Sequence, residues 1–164
     1  MSGKLLPCLA LAGAFTLALP LSAAEGVIRN GDVPGRPILS SVEVPAGKNI
    51  VFLSGMVPPV LNPEAPPEQR QFGSMEQQTT AVLERIQAHL KELGLSMGDV
   101  IKAQAFLVKD PDTGQVDRAG FNAAFSRFFG TEAQPVKPAR SAFEIAGLGS
   151  PRMLVEIEVI AVRP

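Results

Sequence analysis

Arg140 sits in the run Pro138-Ala139-Arg140-Ser141-Ala142-Phe143-Glu144-Ile145. Period-two alternation predicts a strand here, with Arg140, Ala142 and Glu144 on one face and Ser141, Phe143 and Ile145 on the other. A guanidinium keeps its charge when partly buried, and its planar fork matches a carboxylate with two hydrogen bonds. Arg140 is therefore a candidate anchor for a small carboxylate ligand. The same position also suits a structural ion pair with Glu144, Glu156 or Glu158, and spacing alone leaves both uses open. Glu156 stands in a second strand-like run, Leu154 to Val162, flanked on its own face by Leu154 and Ile160. A carboxylate there suits a proton shuttle or a group that orients water, and Glu158 competes for the same role.

Signatures of other chemistries are missing. The sequence has no P-loop, GxGxxG, GxSxG or HExxH run. Its one histidine, His89, flanks the apolar stripe of a helix and reads as a partly buried structural residue. Neither a His-ligated metal set nor a Ser-His-Asp arrangement can be assembled, so catalysis would have to use Arg and carboxylates. Basic and acidic residues number 15 and 16. Phosphate binding needs a surplus of Lys and Arg on one face, so no nucleic-acid partner is expected.

Residues 1–24 differ in kind from the rest. Lys4 gives a positive start, Leu5 to Leu21 is almost wholly apolar, and Ser22-Ala23-Ala24 presents small residues where a signal peptidase reads. We expect a cleavable secretory signal, cut after Ala24. The mature chain would then be periplasmic or secreted, with no membrane attachment; the apolar run is slightly short for a span. The only cysteine, Cys8, lies in this segment. A mature chain without cysteine must draw its stability from packing or association.

The candidate residues need a scaffold. Residues 25–36 read as an irregular lead-in with a turn at Asn30-Gly31, and residues 37–164 as one domain. Val42–Val44 and Ile50–Leu53 are β-prone. Pro58 to Gly73 is a proline-rich surface loop. Ser74 opens the strongest helix, with capping-box spacing to Gln77 and an apolar stripe of Met75, Thr79, Val82, Ile86, Leu90 and Leu93, with Leu83 at its edge. Val100–Val108 reads as a strand. Asp117 caps a second helix running to about Phe129, with Phe121, Phe125 and Phe128 on one face. Ala139–Ile145 and Leu154–Val162 are the last strands.

The order β, β, α, β, α, β, β predicts an α+β fold, a mixed sheet with two helices packed on one face. In the last strand Val155, Ile157, Val159 and Ala161 point one way, and Leu154, Glu156, Glu158, Ile160 and Val162 the other. Both sides look largely apolar, and no helix remains to cover the second. That face is expected to pack on other subunits.

Ser54-Gly55, Gln78, Gly94-Leu95, Gly98-Asp99-Val100, Val108-Lys109-Asp110, Asn122, Pro138-Ala139-Arg140-Ser141 and Val155-Glu156-Ile157-Glu158-Val159-Ile160-Ala161 occur in an order that resembles the RidA/YjgF family, also known as the L-PSP endoribonucleases. The resemblance spans about Pro37 to Arg163. It implies a fold similar to chorismate mutase, assembled as a homotrimer around the sheet face opposite the helices. It also implies hydrolysis of reactive 2-enamines and 2-imino acids to 2-keto acids and ammonia, at a site between subunits and without metal or cofactor. Carried onto this sequence, Arg140 would clamp the substrate carboxylate and Glu156 would position water. Ser54 and the Gly55 N–H would face the ligand, Asn122 and Ile38 would line the pocket, and the Ala142 carbonyl would face the substrate nitrogen. Ile38 stands where the family often has tyrosine, and Ala142 where it often has cysteine. A trimeric protein of the cell envelope that binds a small carboxylate or a partner without turnover is the alternative.

Overall fold

The computed structural model describes residues 25–164; the expected signal segment and Cys8 lie outside the described residues. Eight elements follow in order: β1 (Ile28–Asn30), β2 (Ser41–Glu43), β3 (Ile50–Met56), α1 (Met75–Glu92), β4 (Val100–Leu107), α2 (Arg118–Phe125), β5 (Ala139–Glu144) and β6 (Val155–Val162). The main sheet is four-stranded in the order β3-β6-β4-β5. β6 runs antiparallel to both neighbours, while β5 lies parallel to β4 at the edge. This is the mixed sheet expected from the element order.

α1 forms where the sequence places it, because its first turn is closed chemically. Ser74 Oγ accepts from the Gln77 N–H at 3.3 Å, and Gln77 Oε1 accepts from the Ser74 N–H at 2.9 Å. Val82, Ile86 and Leu90 are buried as predicted, and Leu83 is buried as deeply rather than lying at the edge of the stripe. Gln78 is also fully buried. Its Nε2 donates to the carbonyls of Gly73 (2.8 Å) and Arg152 (3.0 Å), and its Oε1 accepts from the Leu154 N–H at 2.8 Å. A buried amide so satisfied fixes the start of α1 to the entry of β6.

The helices cover one face of the sheet. That face is built from Leu53, Ala103, Ala105, Val155, Ile157, Val159 and Ala161, packed with the α1 stripe and with Phe121 and Phe125 of α2. The small Ala103 and Ala105 sit on the strand under the helices, where bulkier side chains would hold them off.

α2 is shorter than predicted. It ends at Phe125, and the chain continues in tighter turns, with Arg127 N–H on the Ala124 carbonyl and Phe128 N–H on Phe125. As a result Phe129, rather than Phe128, joins Phe121 and Phe125 in the core, its ring 4.7 Å from that of Phe125.

The lead-in is more ordered than the sequence suggests. Ile28–Asn30 pairs antiparallel with Ser41–Glu43. Between the pairing residues, Arg29 reaches across to donate to the carbonyls of Lys137 (2.7 Å), Gly98 (3.1 Å) and Val100 (3.3 Å). Burial lowers the Arg29 pKa, and Asp99 partly opposes that. Leu39 then bridges in parallel to Ala139, extending the β5 edge.

The second face of the sheet is mixed rather than largely apolar. Phe52 is 75 % exposed, Phe143 48 % and Ile50 39 %, while Lys102, Gln104, Glu156, Glu158 and Ile160 are half-buried beside them. Leu154 does not stand with Glu156 on that face. It precedes the strand and is buried at 3 % exposure. No helix among the described residues is long and apolar enough to cross a membrane.

Candidate functional site

β5 and α2 together position Arg140. In the register of β5 with β4, Arg140 pairs with Ala103 and Ala142 with Ala105. These are buried, helix-facing positions, so the Arg140 side chain emerges under α2 at the sheet edge. Its guanidinium carbon lies 4.5 Å from the ring centre of Phe125 and 4.8 Å from that of Phe121. Two aromatic faces hold a cation at this distance through their quadrupoles without neutralising it. Nη2 donates to Asn122 Oδ1 at 2.8 Å. Nη1 is buried and has no hydrogen-bond partner. Burial pushes the Arg140 pKa down from its ordinary value.

The ion pair that spacing left open is not formed. Among the described residues no carboxylate lies within salt-bridge distance of Arg140. Glu144 is held instead by Lys109 at 3.2 Å and, more loosely, by Arg118 at 3.9 Å. What Arg140 lacks is an acceptor for a charged donor, and an unmatched group of that kind is costly to bury.

Glu156 belongs to a different surface. It pairs with Phe106 across β4, on the face opposite the helices, and is half-buried. Its carboxylate lies over Gly55. A Cβ built on Gly55 would stand 2.8 Å from the Glu156 carboxyl carbon, closer than real side chains approach. A side chain here would push the Glu156 carboxylate aside, so the glycine permits this close approach; no unusual backbone angle is involved. The register of β3 with β6 breaks between Leu53 and Met56, so Ser54 and Gly55 leave the ladder beside Glu156. A bulge of this kind re-aims backbone groups away from the partner strand. Sequence reasoning named these residues but had no signal for the bulge.

The sequence-derived residues thus fall into two groups. Arg140, Asn122 and Ala142 lie where the helix-facing side of β5 meets α2; Ser54, Gly55 and Glu156 share the bulge on the far face. The thickness of the sheet separates them, together with two strand spacings of about 4.8 Å from Arg140 to Glu156 and three to Ser54 and Gly55. Ile38 is partly buried against the core, one residue before the Leu39–Ala139 bridge. His89 is half-exposed on α1 and meets Glu92 at 3.1 Å. A polar depression of about 580 Å³ lies along Glu68, Ser74, Asp112 and Arg152 and contains none of the candidate residues.

The chain matches the family model described as endoribonuclease L-PSP over residues 37–163. It is 36 % identical over 113 residues to a RutC family protein of Pyrococcus abyssi, covering 69 % of this chain and 78 % of that one. It is 35 % identical over 115 residues to the 2-iminobutanoate/2-iminopropanoate deaminase of Escherichia coli K12, covering 70 % and 80 %. Among solved structures it is similar to Escherichia coli TdcF with bound serine (TM-score 0.54, 30 % identity, 83 % of this chain and 94 % of that one). A YjgF family member from Neisseria meningitidis superposes with a TM-score of 0.52 at 28 % identity, over 84 % and 95 %. With its mixed sheet, two helices on one face and a match over nearly all the described residues, the chain belongs to the RidA/YjgF family, the endoribonuclease L-PSP family of the matching model.

Proposed function

We propose that this protein hydrolyses 2-imino acids, and the 2-enamines in tautomeric exchange with them, to 2-keto acids and ammonia. The observation that carries the reading is Arg140, a half-buried guanidinium cradled by two phenylalanines and a neutral amide, with no carboxylate of the described residues within salt-bridge distance. The substrate carboxylate pairs with it. Water adds across the C=N bond, its oxygen to carbon and one proton to nitrogen; the second proton of that water then passes to nitrogen as the C–N bond breaks, the carbonyl forms and ammonia leaves. The imine carbon is already electrophilic, so the protein's part is orientation and placement of charge. Glu156 orients the water, the Gly55 N–H and Ser54 face the ligand, and the Ala142 carbonyl faces its nitrogen.

The two groups of residues cannot reach one small substrate from a single chain, since they lie on opposite faces of the sheet. The complete site therefore forms where the Arg140 edge of one copy meets the Glu156 bulge of the next. Two different patches meeting head to tail give a heterologous interface; with a rotation that closes it forms a ring, and the ring of this reading is the homotrimer. The exposed Phe52, Phe143 and Ile50 supply apolar surface for it.

The test couples an amino-acid oxidase to keto-acid release with and without the protein. The reading expects faster release that Arg140→Ala abolishes. An unchanged rate with the wild-type chain, together with a thermal shift by 2-keto acids, would instead support a binding protein without turnover. That alternative draws on Ile38, which offers no hydroxyl.

Export is part of the proposal. It is supported by Lys4, the apolar run Leu5–Leu21 and the small residues Ser22-Ala23-Ala24. The mature chain then begins at Glu25, in the periplasm or outside the cell, with the single domain at residues 37–164. The intact mass of the chain recovered from a periplasmic fraction checks the cleavage point.

A further inference from the structure

The side-chain rows of β5 and α2 that meet at Arg140 continue beyond it. Along β5, Arg140, Ala142 and Glu144 share one face. Along α2, Asn122 and Arg118 stand one turn apart, about 6 Å between neighbours at that spacing. Two cross-contacts join the rows. Arg140 donates to Asn122 at 2.8 Å, and Arg118 meets Glu144 at 3.9 Å. Between them lies Ala142, whose side chain is a single methyl. Beside Glu144 a separate depression of about 430 Å³ opens along Val108, Lys109, Glu144, Ile145 and Ala146.

The charges at that far end are unevenly engaged. Glu144 is satisfied by Lys109 at 3.2 Å, whereas Arg118 has only its 3.9 Å approach to the same carboxylate and is 57 % exposed. Asp117, next in sequence, is turned away, its Oδ1 accepting the Gly120 N–H at 2.8 Å. Asp110 likewise accepts from the Asp112 N–H at 2.8 Å. Arg118 is thus a cation one helical turn from the Arg140 contact, with its five donors scarcely used.

We infer that Arg118 selects substrates carrying a second carboxylate, so that the preferred imines are 2-imino dicarboxylates of four or five carbons. This rests on the reading of Arg140 as the anchor of the first carboxylate. The distal carboxylate takes Arg118, Glu144 stays with Lys109, and the carbon chain passes over Ala142. Removing a charge-assisted pair of this kind changes binding by about tenfold or more.

The experiment uses the whole mature protein. Imines are generated in place by oxidases from alanine and 2-aminobutyrate on one side, and from aspartate and glutamate on the other. The wild type is expected to favour the dicarboxylate imines in kcat/KM by about tenfold, and the ratio is expected to fall towards one in Arg118→Ala and to recover in part in Arg118→Lys. A wild type that treats both classes alike, or a preference that survives Arg118→Ala, overturns the inference while leaving the deaminase reading intact. If no imine is hydrolysed faster, the deaminase reading fails, and calorimetry with 2-oxoglutarate and pyruvate decides the inference alone. Tighter binding of 2-oxoglutarate that Arg118→Ala removes supports it, and equal binding of the two keto acids overturns it.

Discussion

Replacing Arg140 by methionine separates a ligand anchor from a structural strut. Methionine keeps the length of the side chain over Phe121 and Phe125, where the guanidinium now lies 4.8 and 4.5 Å from the ring centres. A thioether beside an aromatic ring returns about 0.3–1.5 kcal/mol, comparable to an exposed cation–π contact. Two further effects decide the sign. The buried Nη1, which has no partner, disappears, and relief of such a group is worth about 1–3 kcal/mol. The Asn122 contact is lost, but Asn122 is exposed and its oxygen returns to water. Folding stability should therefore hold or rise by about 1 kcal/mol, a shift of roughly 2–4 °C in Tm.

Catalysis should move the other way. Two charge-assisted hydrogen bonds to the substrate carboxylate, about 1.5–3 kcal/mol each, correspond to a loss in kcat/KM of about a hundredfold or more. The assay is oxidase-coupled keto-acid release beside a thermal melt of the same preparation. A fall in Tm of several degrees would show that Arg140 is held for the fold, and unchanged kcat/KM would show that it anchors nothing. The burial that lowers the Arg140 pKa disfavours its charged form in the folded state. That cost is present in full at every pH below the folded-state pKa. The stability gain of the variant should accordingly be flat across neutral pH.

Other outcomes follow from the same geometry. Gly55→Ala places a methyl group against the Glu156 carboxylate; displacing that group by about 1 Å should lower kcat on the order of a hundredfold with the fold retained, as kinetics and circular dichroism will report. Arg29→Ala removes three hydrogen bonds to backbone carbonyls and should cost about 2–4 kcal/mol in urea unfolding, with activity per folded molecule unchanged. Arg152 holds the Asp112 pKa below its ordinary value of 3.8, so this exposed pair stabilises the fold above that pH. Its contribution should fade as pH falls below it, and Asp112→Asn should remove this acid-limb dependence from pH-resolved melts.

Much of the scaffold is legible in local sequence. The Ser74–Gln77 box and the 3.6-residue stripe specify α1 because both act within a few residues of each other. The strand pattern around Arg140 also yields the face it shares with Ala142 and Glu144. Three features escape local reasoning. β1 is three residues long and is anchored by Arg29 to carbonyls 69–108 positions away. Leu83 and Phe129 are buried by how the helices sit, which the stripe alone does not fix. Most consequential, alternation tells which residues of one strand share a face but not how two strands are registered. That Arg140 and Glu156 lie on opposite faces emerges only when both are paired to β4, at Ala103 and Phe106.

That opposition gives the most direct test. Arg140→Met and Glu156→Gln chains, each inactive alone, are unfolded together in equal amounts, refolded and assayed. If each site takes Arg140 from one copy and Glu156 from the next, random assembly leaves about a quarter of the interfaces intact, and activity should return to about a quarter of the wild-type value. Activity that stays at the level of the separate variants, with mixed oligomers present by mass spectrometry, would contradict a site shared between copies.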